Sequence, residues 1–238
     1  MALPAFALAL AGCGLEFPIL LESPVGVNNE NDSKFEFNST AANSEAEFRG
    51  YEIYYKLFVI AATPTIYYAS IDDLIADSYH RLGNPIKDRP GAYYRPLINV
   101  DVDDPPTIDV GEAFTVTVDF SNGVSPGDFP EIILTGATLN GEDTTLEVLS
   151  ARRIVRNFPT NINELKRFTV VSFSESDLSE SDSDLTQLVL DEIQASSWAG
   201  VSCFAVSWGI DVNQTVVYSI PEWLGFEKII FPQTEIIF

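Results

Sequence analysis

The chain is short of the residues that most chemistry needs. It has one histidine, two cysteines and one methionine in 238 residues. A zinc site needs more ligands than one His and two Cys supply. Gly123-Val124-Ser125-Pro126-Gly127 has the Gly-x-Ser-x-Gly spacing, but Pro126 has no N–H to offer an oxyanion hole, so it does not support a hydrolase. Positive charge is scarce as well. Thirteen Lys and Arg stand against 35 Asp and Glu, which leaves a net charge of −22. Such a surface repels phosphate, so nucleic acid and anionic headgroups are not expected partners. No apolar run reaches the roughly 20 residues of a bilayer span. No repeat of fixed period is found. No cofactor is expected, no metal ligand is assigned, and the chain is not expected to be an enzyme.

What is present is apolar and aromatic. Hydrophobic residues make up 46% of the chain, with 16 Phe, 9 Tyr and 3 Trp, which suits a folded core and not a tail. Residues 1–12 are uncharged and mostly apolar, and they end in Leu10-Ala11-Gly12-Cys13. This stretch resembles the lipobox of bacterial lipoproteins, in which small residues let a signal peptidase reach the bond before a lipidated cysteine. The resemblance implies a signal peptide over 1–12 and acyl chains on Cys13. It also implies membrane lipid as a partner, and a place in the bacterial cell envelope, at the outer membrane or cell surface. Twelve residues fit the apolar part of a cleaved signal, and two or more acyl chains give stable attachment where one does not. No Lys or Arg precedes Cys13, where such signals ordinarily open with one. The plainer alternative is an apolar first strand with a buried Cys13, or a Cys13–Cys203 bridge. Three sequons, at Asn31, Asn38 and Asn213, read as chance matches in polar turns.

The rest of the chain reads mainly as strands. Lys34–Asn38 alternates, and so does Phe48–Phe58, with Tyr51, Ile53, Tyr55 and Leu57 on one face and Glu52, Tyr54, Lys56 and Phe58 on the other. A first edge strand is expected over Phe17–Glu22. Ser70, with Asp73 at capping-box spacing, opens a helix that Gly83 and Pro85 stop. Further strands are expected at Tyr93–Asp101, Ala113–Ser121, Glu131–Thr135, Thr144–Ser150, Arg153–Phe158 and Arg167–Phe173, with a hairpin turn at Asn140-Gly141. Thr186–Ile193 leans to a short helix or an irregular segment. Val201–Asp211 is a strand with Phe204, Val206, Trp208 and Ile210 on one face and Cys203 on the other. Thr215–Ile220 pairs back on it, and Trp223–Phe231 closes the chain.

Phe48-Arg49-Gly50-Tyr51-Glu52-Ile53-Tyr54-Tyr55-Lys56 resembles the third strand of a fibronectin type III domain. Phe204–Asp211 followed by Val216-Val217-Tyr218-Ser219-Ile220-Pro221 resembles the last hairpin of that fold. With the lipobox and a terminal Tyr-Ser-x-Pro-x-Trp-Leu-Gly, the set is similar to a group of spirochaete lipoproteins of unknown function. The implied fold is mostly β: an immunoglobulin or fibronectin III-like antiparallel sandwich with a large insertion holding one or two short helices. Residues 13–60 and 200–238 form the sandwich on this reading, and 61–199 form the inserted mixed β/α region. One continuous sandwich is the other arrangement a chain of this length permits.

Candidate sites are few. Tyr67, Tyr68, Tyr79, Tyr93 and Tyr94 gather in sequence with Arg89 and Arg95, close to His80 and Arg81. Nowhere else do basic and aromatic residues concentrate in this acidic chain, and Tyr and Arg are common binding anchors. They form a candidate surface for a protein or carbohydrate ligand. Core aromatics with salt bridges are the plainer reading of the same residues. Asp101–Asp104 and Asp177–Asp184 offer oxygen ligands to calcium, yet neither has the EF-hand spacing, and solvated acidic loops are the plainer outcome. The expected role is a non-enzymatic binding or structural module. The alternatives are a carboxylate-dependent glycan-acting enzyme, whose acid pair the sequence does not select, and a surface subunit that self-assembles through strand edges.

Overall fold

In a computed structural model of the chain, the described residues are 21–27, 33–39, 48–58, 94–99, 114–121, 129–140, 143–155, 173, 178, 185 and 187–230. They are mostly β, in two antiparallel sheets. The strands are β1 (Val25–Val27), β2 (Lys34–Asn38), β3 (Phe48–Phe58), β4 (Arg95–Pro96), β5 (Ile98–Asn99), β6 (Phe114–Asp119), β7 (Glu131–Asn140) and β8 (Asp143–Val155). A helix, α1 (Gln187–Ser196), then leads into β9 (Trp198–Ile210), β10 (Val216–Tyr218) and β11 (Glu222–Ile230). One sheet has the order β1-β2-β6-β7-β8-β5. In the other, β9 pairs with β3 on one side, and β4 lies beyond β3. On its other side β9 pairs with β10 and β11, which follow one another along it.

Period-two alternation explains why the sheets share a core. Phe35 and Phe37 of β2, Val116 and Val118 of β6, and Ile132 of β7 face Tyr51, Ile53, Tyr55 and Leu57 of β3 and Val201 and Cys203 of β9. All are buried. Aromatic edges meet faces across this layer. Phe37 lies 5.0 Å from Tyr51, and Phe173 lies 5.2 Å from Tyr55 and 5.0 Å from Phe120. The quadrupole favours such T-shaped pairs over stacked ones. Val189 and Ile193 of α1 join the same core. The helix ends without a glycine. Ser197 takes the left-handed conformation (φ 58°), and its N–H donates to the Ile193 carbonyl at 2.7 Å.

Several strands lie where the alternation puts them, and others differ for physical reasons. Residues 17–20 of the expected first strand lie outside the described residues, while Leu21 and Glu22 are not strand, and pairing starts at Val25. Expected strand 93–101 splits at Leu97, whose N–H donates to the Ile53 carbonyl. Its two short pieces, β4 and β5, join different sheets. Expected strand 144–150 and residues 153–155 of the next are one strand, β8, carried through a bulge where the β7–β8 register shifts between Leu134 and Thr135; residues 156–158 lie outside the described residues. The last pair of that ladder is Asn140 opposite Asp143; Gly141 of the expected turn lies outside the described residues. The segment that leans to helix is α1. The helix from Ser70 and strand 167–172 lie outside the described residues. β2 pairs with β6 and β3 with β4, so ladders join residues 13–60 to residues 61–199. Alternation marks a strand and its buried face, but it does not choose the neighbour.

Candidate functional site

The outer face of the β3–β9 sheet carries the most distinctive chemistry among the described residues. Directly opposite residues of paired strands share a face. Tyr54 lies opposite Phe204, and Phe204 lies opposite Trp223. Tyr54, Tyr94, Phe204 and Val206 form a second apolar cluster, with Tyr218 packed against it. The Tyr94 ring meets Phe204 edge-on at 5.1 Å, and the Lys56 ammonium sits 5.3 Å from the Tyr94 centroid.

Ser202 is the polar centre of this face. Its hydroxyl donates to the Gly225 carbonyl at 3.0 Å and accepts from the Tyr94 hydroxyl at 2.9 Å and the Trp223 indole N–H at 3.0 Å. One donor and two lone pairs are all a hydroxyl has, and all three are used. A bulge in β11 makes this geometry. The register shifts between Trp223 and Gly225, and Gly225 has φ 102°, a conformation that favours glycine. The Trp223 indole is therefore fixed in orientation while 39% of the residue stays exposed. Phe226 is 38% exposed and packs edge-on against Phe58 at 5.8 Å. The Phe58 ring in turn lies on Gly200, where a Cβ would approach it to 2.7 Å, so the sheet needs glycine there. Lys228 stands 4.6 Å from the Trp198 centroid. The result is a rigid, half-exposed aromatic surface, with the Glu52 carboxylate of the same face accepting from the Tyr54 hydroxyl at 2.9 Å. It can hold a ligand by stacking and apolar contact.

A second feature ties the start of the described chain to its end. Ser207 Oγ donates to the Glu22 carbonyl at 2.6 Å, and Ser23 Oγ donates to the Ile220 carbonyl at 2.7 Å. Ser219 joins them: its hydroxyl accepts from the Ser207 N–H at 2.9 Å, and its own N–H donates to the Ser207 carbonyl at 2.9 Å. Further along, the Gly26 N–H donates to Glu222 Oε1 at 3.3 Å, and Ser33 Oγ donates to the Lys228 carbonyl at 2.6 Å. Side chains, not a ladder, join β1 and β2 to β11 across the seam between the sheets.

Of the residues singled out in the sequence, Cys13, Tyr67, Tyr68, Tyr79, Arg89 and Tyr93 lie outside the described residues, as do His80 and both aspartate clusters. Tyr94 and Arg95 are described, and both are buried, at 0% and 1% exposure. Neither presents a surface; Tyr94 is a strut between the Ser202 hydroxyl and Phe204. The sequence reading missed Ser202, Trp223 and Phe226 as a group. The one available signal was a terminal strand with large apolar residues and an interior glycine. Cys203 is a free, buried thiol. Burial, and after it the charge of Glu227, raises its pKa well above the usual 9.0. The group stays neutral and unreactive. Among the described residues no cluster of His, Cys, Asp or Glu could hold a metal ion, and no helix is long and apolar enough to cross a membrane. Comparison of the chain with protein-family models, with curated proteins and with solved structures finds no match.

Proposed function

We propose that the chain is a lipoprotein of the bacterial cell envelope. Acyl chains on Cys13 hold it at the membrane, and its β body serves as a non-enzymatic binding or structural module. The sequence Leu10-Ala11-Gly12-Cys13 carries the anchoring.

The immunoglobulin or fibronectin III-like part of the reading draws support from strand neighbours. In such sandwiches the third strand lies beside the first strand of the final hairpin, and the first two strands lie in the facing sheet. Here β3 lies beside β9, β9 lies beside β10, and β1 and β2 belong to the other sheet. The binding part draws support from the Trp223–Phe226 surface. It suits a ligand with an apolar face, such as a sugar ring or a protein side chain.

Mass spectrometry of the protein extracted from host membranes tests the reading. The expected product begins at Cys13 and carries acyl chains. An intact amino terminus with a free Cys13 thiol, recovered from the aqueous phase, overturns it.

A further inference from the structure

Strand β11 sets four exposed side chains in one row. Trp223 lies opposite Phe204, Phe226 opposite Ser202, Lys228 opposite Gly200 and Ile230 opposite Trp198. Each step covers two residues of β9, about 7 Å, so the row runs straight for about 20 Å. Trp223 and Phe226 are three positions apart, and plain alternation would put them on opposite faces. The register shift between Trp223 and Gly225 brings both to the outer face. One charge stands in the row: the Lys228 ammonium, over the Trp198 ring.

Charge and edge chemistry narrow what can lie there. Glu222 and Glu227 pair with Ala205 and Val201, so both belong to the other side of β11. Glu52 shares the outer face but is 1% exposed and holds the Tyr54 hydroxyl. Among the described residues this face therefore shows no exposed carboxylate to a cationic ligand. A polyanion, or a second copy of the chain, meets a net charge of −22. Peptides add to a sheet by main-chain pairing along a free edge. Here the Ser33 hydroxyl already takes the Lys228 carbonyl, and Glu222 joins the same strand to Gly26 of β1. What fits is an uncharged polymer with repeated apolar ring faces and hydroxyl groups.

The geometry points to a neutral polysaccharide of β-1,4-linked pyranose rings lying along β11, with rings on Trp223 and Phe226 and hydroxyls on Lys228. This deepens the binding role proposed for the Trp223–Phe226 surface and rests on it. The β-1,4 linkage keeps such a chain extended, as a straight row requires. Its C–H faces pack on the two aromatic side chains. The Lys228 ammonium has three donors to offer hydroxyl oxygens. The Trp223 indole is oriented by Ser202 before any ligand arrives, so little side-chain freedom is lost on binding.

The test titrates the protein by calorimetry with cellohexaose and chitohexaose, and with cellobiose and hexagalacturonate for contrast. At least one neutral hexamer is expected to bind about tenfold or more tightly than cellobiose, because it spans more of the row. Trp223→Ala and Phe226→Ala are each expected to weaken that binding about tenfold, and Lys228→Gln several-fold. Phe226 lends the fold no side-chain hydrogen bond, so its variant reads the row even if Trp223→Ala fails to fold. Equal affinity for cellobiose, or for hexagalacturonate, overturns the inference and leaves the surface a binding site where Phe226→Ala removes the signal. Hexamer binding untouched by Phe226→Ala overturns the inference and the surface reading together. No binding of either neutral hexamer at millimolar concentration overturns the inference and leaves protein side chains as the ligand of that surface.

Discussion

Strands β3 and β9 each carry two different surfaces. The inner face is dry and aromatic: Tyr51, Ile53, Tyr55, Leu57 and Cys203 pack against Phe37 and Val116 of the facing sheet. The outer face mixes rings with hydroxyls: Tyr54, Phe204 and Tyr94 gather around Ser202, which also holds Trp223. The inner face derives its stability from filled volume. The outer face derives orientation from a saturated hydrogen-bond centre. One places the sheets against each other, and the other fixes an indole that solvent can reach.

The largest expected effect comes from emptying the inner face. Phe37 is 0% exposed and touches both sheets through Tyr51. Phe37→Ala is expected to cost about 3–5 kcal/mol in urea denaturation, since the transfer and cavity terms add. A loss as small as that of a surface change would break the contrast between the faces. On the outer face, Ser202→Ala removes the hydroxyl shared by Tyr94, Trp223 and Gly225. A loss of about 1–3 kcal/mol is expected, together with a red-shifted and more mobile Trp223 emission. Loss of stability with unchanged Trp223 emission would show that the hydroxyl does not set the indole.

The smallest effect sharpens the inner face as a place that rejects charge. The folded state holds Cys203 neutral because burial raises its pKa above 9.0, whereas the unfolded chain ionises near that value. The contribution of this group is thus fully present below 9.0 and is lost as pH rises towards the raised folded value. Relative to Cys203→Ala, the native protein is expected to lose up to about 1.4 kcal/mol per pH unit above that point. Parallel stabilities of the two proteins across the range would mean that the thiol meets water.

These contrasts were unevenly legible in the sequence. Alternation alone put Tyr51, Ile53, Tyr55 and Leu57 on one face of β3 and Tyr54 on the other, because a strand's period is fixed by its backbone. It also separated Cys203 from Phe204 on β9. The partners of each strand were not legible: nothing local in Lys34–Asn38 says that β6, some eighty residues on, lies beside it. A bulge hid the continuity of β8, since one extra residue reverses the phase of the pattern. Of the candidate surface, two residues fall among those described. Tyr94 and Arg95 stood out because aromatic and basic residues cluster in sequence, yet both are buried, Arg95 opposite Tyr55 and Tyr94 against Phe204. Ser202 carried no local signal, because its role depends on residues 108 and 21 positions away.

The serine clasp has a mechanical consequence. Tension on the amino-terminal side of the chain reaches the hydroxyl bonds of Ser207 and Ser23 before it reaches the three paired residues of β1. Those grips hold to β9 and to the link between β10 and β11, so the load passes to a central strand and not to the edge strand β1. Failure under force would begin with Leu21 leaving the core edge and these few hydroxyl contacts breaking, while the β3–β9 ladder stays paired.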